Sequence, residues 1–117
     1  MTVILVGIAG MAGVLARYAI SSVFHGDALP WATVGINIAG SFLLGMLVVS
    51  HATSPEFRTV AGVGFLGGFT TFSTFSVQAF LDVEAGEPGR AVLYVVASVG
   101  VGIVAAALGY YAGRRVL

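Results

Sequence analysis

Apolar and polar positions alternate in long blocks along this chain. Four apolar stretches run from Thr2 to about Ser22, from Ala28 to Ser50, from Thr59 to Leu81 and from Ala91 to Gly113. Each has roughly 20 residues, which at about 1.5 Å per helical residue crosses a bilayer core about 30 Å thick. Short polar connections separate them. The pattern predicts one domain, residues 1–117, of four transmembrane helices with neighbouring helices antiparallel.

Composition supports a membrane location. Of the 117 residues, 58% are hydrophobic and 9% are charged, and the mean hydropathy is +1.03. These values exclude an ordinary water-soluble domain. Five arginines balance five acidic residues, so the chain has no basic face to bind nucleic acid. Cysteine is absent, which excludes disulfides and thiolate chemistry.

Arginines are distributed almost evenly between the two sides of the predicted bundle. Arg58, Arg114 and Arg115 lie on the side of the termini, whereas Arg17 and Arg90 lie on the other. Such a weak bias allows insertion in both orientations and pairing with an inverted copy. Small residues at four-residue spacing allow close helix approach in lipid, either within a subunit or between subunits. They are Ala9 and Gly13, Ser41 and Gly45, and Ala105, Gly109 and Gly113.

The third apolar stretch is unusual because glycines and hydroxyl residues crowd its centre. Gly67 and Gly68 precede a run in which Phe alternates with Thr and Ser up to Ser76. Since glycine in a helix costs about 1 kcal/mol relative to alanine, we predict a break within residues 67–71. Freed backbone groups at membrane depth must be buried, face water or bind an ion. The alternative is a simple kink whose hydroxyls bond back to their own helix.

These motifs resemble the small fluoride channels of microbes, the Fluc or CrcB family. The similar segments are Gly13–Tyr18, Thr33–Phe42 and Gly64–Ser76, of which the last is the longest and most specific. The resemblance implies a multi-pass protein of the cell inner (plasma) membrane. It also implies a dual-topology, antiparallel homodimer with two pores and a central sodium ion, which passively exports fluoride.

On this resemblance, Asn37 is a pore-lining hydrogen-bond donor. Its other interpretation is a carboxamide that joins two helices, and the two roles are compatible. An amide in mid-membrane requires a partner in either case, because its burial is costly. Thr33, one turn earlier on the same face, extends the donor line.

The resemblance assigns Phe72 and Phe75 to aromatic gates along the fluoride path, and Ser73 and Thr74 to a polar track beside it. Hydroxyl donors suit a small, strongly hydrated anion, because several weak bonds replace its water without trapping it. Tyr94 matches a position near that track, although a tyrosine there also fits the aromatic belt at a membrane interface.

The resemblance assigns roles to three further residues. Gly67 and Thr70 would supply backbone carbonyl ligands to the central sodium, which would be structural rather than transported. Arg17 would contribute to a positive vestibule that attracts anions, and its position late in the first span also suits an interface anchor.

Gln78 departs from the family pattern, which commonly has glutamate at this position. Glutamine keeps hydrogen-bonding capacity but removes the titrating carboxylate. We include Gln78 in the fluoride path and expect little pH dependence from this site.

Two other classes of protein are alternatives to a channel. A small dual-topology multidrug transporter would need a membrane-embedded carboxylate, and no acidic residue lies away from the ends of the spans. A noncatalytic membrane assembly subunit would explain the small-residue spacing but not Asn37 with the hydroxyl-aromatic run. No nucleophile and base pair, metal cluster or phosphate loop indicates an enzyme.

Overall fold

The protein, described by a computed structural model of residues 1–117, is built from helices and their connections. Its four spans are Thr2–Ser21, Gly26–Val48, Pro55–Glu84 and Pro88–Val116, each apolar and long enough to cross a membrane. The prediction of an all-α protein with four transmembrane helices is confirmed.

The first two spans are regular and the last two are composite. The first is α1 (Thr2–Ser21), and a single 3-10 turn (Gly26–Ala28) leads into α2 (Leu29–Val48). The third comprises α3 (Pro55–Thr59), a π-helical segment (Val60–Leu66), α4 (Gly67–Phe69) and α5 (Phe72–Glu84). The fourth comprises α6 (Pro88–Val96), a π-helical segment (Ala97–Val101) and α7 (Gly102–Val116).

The third and fourth spans begin earlier than their apolar stretches indicate. The Ser54 hydroxyl accepts a hydrogen bond from the Phe57 amide at 3.1 Å and caps α3. Pro55 and Pro88 occupy first-turn positions, where proline's missing N–H costs nothing. Polar residues that we placed in the connections are therefore part of the helices.

Contacts between the connections show which ends of the spans lie together. The Thr2 hydroxyl donates to the Glu56 carboxylate at 2.8 Å, and the His51 amide donates to the carbonyl of Leu117 at 3.3 Å. Both termini and the second connection therefore share one end of the bundle. The first and third connections share the other, where an ion pair joins them.

Close packing occurs between spans that run in the same direction, the first with the third and the second with the fourth. A Cβ atom on Gly13 would overlap the carbonyl oxygen of Phe65, and one on Gly109 would overlap that of Phe42. Of the two uses considered for these small residues, the structure shows packing within the chain. This packing fixes which face of each helix meets the centre of the bundle.

Candidate functional site

The third span is broken at Thr70 and Thr71, within the predicted interval. Their backbones are extended, with φ/ψ of −87°/158° and −151°/121°. The Asn37 side chain pairs with the Thr71 backbone: Oδ1 accepts from its N–H at 2.9 Å, and Nδ2 donates to its carbonyl at 3.0 Å. The amide thus satisfies two backbone groups that a continuous helix would have paired. Asn37 therefore has the helix-joining role that the sequence left open.

Glycines allow the backbone near the break to approach its neighbours. A Cβ on Gly68 would overlap the carbonyl oxygen of Gly10, and one on Gly40 would overlap the methyl group of Thr70. After the break, the Thr71 hydroxyl accepts from the Thr74 amide at 3.3 Å and starts α5 as its N-cap. The same short segment therefore ends one helix, packs against α1 and α2, and begins the next helix.

The break leaves the carbonyls of Gly67 and Thr70 without their helical donors. The Thr71 N–H, four residues after Gly67, pairs with Asn37, and the Thr74 N–H, four residues after Thr70, pairs with the Thr71 hydroxyl. Gly67 and Thr70 line an open cavity of about 280 Å³ together with Asn37 and Thr71. Carbonyl oxygens are hard ligands that suit a cation such as sodium. The donor set therefore fits the ion that the resemblance implies.

Three aromatic rings form a row from the interior of the bundle to its surface. The ring centroids of Phe72 and Phe75 are 5.7 Å apart, and those of Phe75 and Tyr94 are 5.1 Å apart. Phe75 and Tyr94 are 7% and 1% exposed, whereas Phe72 is 77% exposed. The structure thus brings together the three aromatic residues that the sequence singled out.

Tyr94 is buried inside the bundle, which excludes a place in an interfacial belt. Its hydroxyl donates to Oε1 of Gln78 at 2.7 Å, and its ring packs edge-on against Trp31 at 6.1 Å. Thr33, buried on α2, lies next to the same hydroxyl. Thr33, Gln78 and Tyr94 therefore form one polar group beside the aromatic row.

The two residues of the predicted polar track are separated. Thr74 is half-buried, and its hydroxyl accepts from the Thr71 hydroxyl at 3.1 Å. Ser73 is exposed, and its position two residues before Phe75 places it on another face of α5. Within the chain, only Thr74 joins the group around the break.

Arg17 is half-buried and extends towards the third span. Its Nε donates to the carbonyl of Gly68 at 3.2 Å, two residues before the break. The guanidinium therefore satisfies a further carbonyl near the break. An arginine that served only as an interface anchor would direct its charge to the lipid headgroups instead. Its role in an anion vestibule stays a prediction.

Ser98 is a candidate that our sequence analysis missed. It lies in the π-helical segment of the fourth span, one turn after Tyr94, and its buried hydroxyl has no hydrogen-bond partner. Short π-helical segments are frequent at functional sites. The only sequence signal for Ser98 is a hydroxyl residue four positions after Tyr94 in an otherwise apolar run. Nothing in that run predicts a π-helix.

A group of three charged residues lies at the end of the bundle beside Tyr94. Arg90 binds Oδ1 of Asp82 through Nε at 3.2 Å and Nη2 at 3.0 Å, and it binds Oδ1 of Asp27 through Nη1 at 3.2 Å. Asp82 is only 7% exposed, and its Oδ2 has no hydrogen-bond partner. Asp82 and Arg90 lie between the third and fourth apolar stretches, so the sequence pattern does not predict the burial of Asp82.

Comparison with known proteins gives matches across nearly the whole chain. The family model described as CrcB-like protein, Camphor Resistance (CrcB), matches residues 4–110. A Thermus thermophilus relative is 40% identical over 116 positions, covering 94% of this chain and 93% of the relative. Relatives from Geobacter sulfurreducens and Geotalea daltonii are 38% and 42% identical, covering 97% and 98% of this chain and 98% of each relative. All three relatives are named fluoride-specific ion channel FluC.

Proposed function

This chain belongs to the CrcB family, and from that membership we propose that it is a fluoride-selective channel that passes the ion passively across the cell inner membrane. The observation that carries the proposal is the shared name of relatives that match it over nearly their full length. The protein is a multi-pass membrane protein and not an enzyme.

The polar and aromatic groups around the break have the chemistry that a fluoride path needs. Asn37 uses one Nδ2 proton for the Thr71 carbonyl, so its second proton is available to an anion. Because the Tyr94 hydroxyl donates its one proton to Oε1 of Gln78, the further donors are the Thr33 hydroxyl and the side-chain nitrogen of Gln78. The ring edges of Phe72 and Phe75 carry partial positive charge. Several such weak contacts replace hydration without holding the ion tightly. We assign the path to this group.

A second copy of the chain, inverted, completes the channel in our proposal. The cavity lined by Gly67, Thr70 and Asn37 is open, and polar side chains and freed backbone groups lie among the residues that line it. Lipid tails cannot satisfy such backbone groups, whereas a partner subunit can. Two carbonyls from each subunit would give four oxygen ligands to one sodium ion at the dimer centre, with one fluoride path on each side. When bound, the ion would supply a fixed positive charge that stabilises the broken helices.

The transporter alternative is weaker than the channel. Proton-coupled export needs a carboxylate that can bind and release protons within the membrane. Asp82 is the only buried acidic residue, it lies near the end of α5, and Arg90 neutralises it. The alternative of a noncatalytic membrane assembly subunit does not explain the hydrogen-bond donors around Asn37.

The deciding experiment measures fluoride efflux from liposomes that contain the purified protein alone, with a fluoride electrode as detector. We expect rapid loss of fluoride, no loss of chloride, and strong inhibition in Phe75→Ile. Phe57→Ile is the matched control, because Phe57 is 53% exposed and distant in sequence from the aromatic row. Absence of flux from well-folded dimers would contradict a self-sufficient channel and favour either a paralogous partner or an assembly subunit.

A further inference from the structure

Two polar contacts join α5 to α6 beside the proposed path. Gln78 and Asp82 lie one turn apart on α5, and Arg90 and Tyr94 lie one turn apart on α6. Gln78 pairs with Tyr94, and Asp82 pairs with Arg90. We call the Gln78–Tyr94 pair the inner contact and the Asp82–Arg90 pair the outer contact. Because residues four apart share a helix face, both contacts join the same face of α5 to the same face of α6.

The outer contact also reaches the helix that carries Asn37. Arg90 binds Asp27, which lies in the 3-10 turn that leads directly into α2. One guanidinium thus holds the end of α5, the start of α6 and the entrance to α2. All three helices supply residues to the proposed path. The planar, forked geometry of arginine permits this, whereas a lysine ammonium is a point charge.

We propose that Arg90 is a positioning residue for fluoride passage, acting through the orientation of Tyr94 and Gln78. This inference rests on the proposed function. Arg90 itself makes its contacts with carboxylates, so it is not assigned to bind the permeating ion. Arg90 lies one turn before Tyr94, so its bonds to Asp27 and Asp82 hold the rotation of α6. The bond to Asp82 also holds the rotation of α5.

Burial makes this coupling strong. Asp82 is almost fully buried and one of its oxygens lacks a partner, so Arg90 supplies its only side-chain hydrogen bonds. Without Arg90, the carboxylate would be buried and uncompensated, a state that proteins avoid by rearrangement or water entry. Gln78 lies one turn away on the same face and would move with it. The Tyr94 hydroxyl would then lose its acceptor.

The test is a mutant cycle measured by fluoride efflux from liposomes. Arg90→Met and Tyr94→Phe are compared singly and together, with Arg115→Met as the control at the opposite, exposed end of the fourth span. We expect Arg90→Met to slow efflux about tenfold and to add little to Tyr94→Phe, because residues that act as one unit are non-additive. Arg90→Lys should restore only part of the rate, since it keeps the charge and loses the fork.

Multiplicative effects of Arg90→Met and Tyr94→Phe, or an Arg90→Met rate equal to that of Arg115→Met, would overturn the inference while leaving the channel intact. A wild-type protein without selective flux would instead contradict the proposed function. If Arg90→Met does not fold, the cycle is run with the Asp82→Asn/Arg90→Met pair, which removes the uncompensated charge. The same non-additivity with Tyr94→Phe is then expected, and its absence would overturn the inference.

Discussion

Asn37 and Thr71 pair through both polar atoms of the side-chain amide and both polar groups of the backbone, across 34 residues of sequence. The pairing places the amide at the point where the third span leaves helical geometry. Asn37 therefore has two roles, because the amide that stabilises the break keeps a second Nδ2 proton that no hydrogen bond within the chain uses.

Asn37→Leu should destabilise the protein and slow fluoride efflux. The substitution leaves the N–H and carbonyl of Thr71 unpaired, and each buried unsatisfied group costs about 1–3 kcal/mol. Thermal unfolding in detergent measures the stability, and liposome efflux measures the activity. Gly35→Ala on the same helix is the control, since a Cβ there meets no atom within 4 Å. Unchanged unfolding in Asn37→Leu would show that the pairing does not stabilise the break.

Gly109→Ala should weaken the packing of α7 on α2. The added Cβ would overlap the carbonyl oxygen of Phe42, and forced repacking of this kind typically costs about 1–3 kcal/mol. Gly7→Ala is the matched control, because no atom lies within 4 Å of its added Cβ. A lower unfolding temperature for Gly109→Ala alone is expected. Equal unfolding of both variants would contradict the close contact between the second and fourth spans.

Sodium should stabilise the proposed dimer if the carbonyls of Gly67 and Thr70 bind it. A ligand that binds only the folded state raises stability with its concentration, by about 2.7 kcal/mol at one hundred times the dissociation constant. We expect the unfolding temperature to rise with sodium chloride and not with N-methylglucamine chloride at equal ionic strength. Identical curves in the two salts would exclude a structural sodium ion.

Fluoride efflux by the wild-type protein should show little pH dependence from position 78, because glutamine does not titrate. Gln78→Glu introduces a titrating carboxylate next to the Tyr94 hydroxyl. The negative charge of its ionised form repels fluoride, so efflux should fall several-fold between acid and neutral pH. Rates of Gln78→Glu that stay constant from acid to neutral pH would show that this position does not sense the permeating anion.

The lengths of the apolar stretches and the local composition of the chain determine the number of spans and the position of the break. Four stretches of about 20 apolar residues are enough to predict four spans, because each helix in lipid must satisfy its own backbone hydrogen bonds. The break could also be predicted, since it depends on glycines and hydroxyls that are adjacent in sequence. The first residues of the third and fourth spans could not be predicted in this way. The Ser54 cap and the first-turn prolines Pro55 and Pro88 start these helices within polar sequence.

Tertiary structure decided which side chains meet. Sequence alone allowed Tyr94 to face the membrane interface or the interior, and it treated Ser73 and Thr74 alike. Only the rotation of each helix buries Tyr94 and separates Ser73 from the break. That rotation depends on contacts between residues far apart in sequence, such as Tyr94 with Gln78 and Trp31. The amino-acid pattern therefore determines where the chain crosses the membrane, whereas packing between spans determines which polar groups remain free to meet an ion.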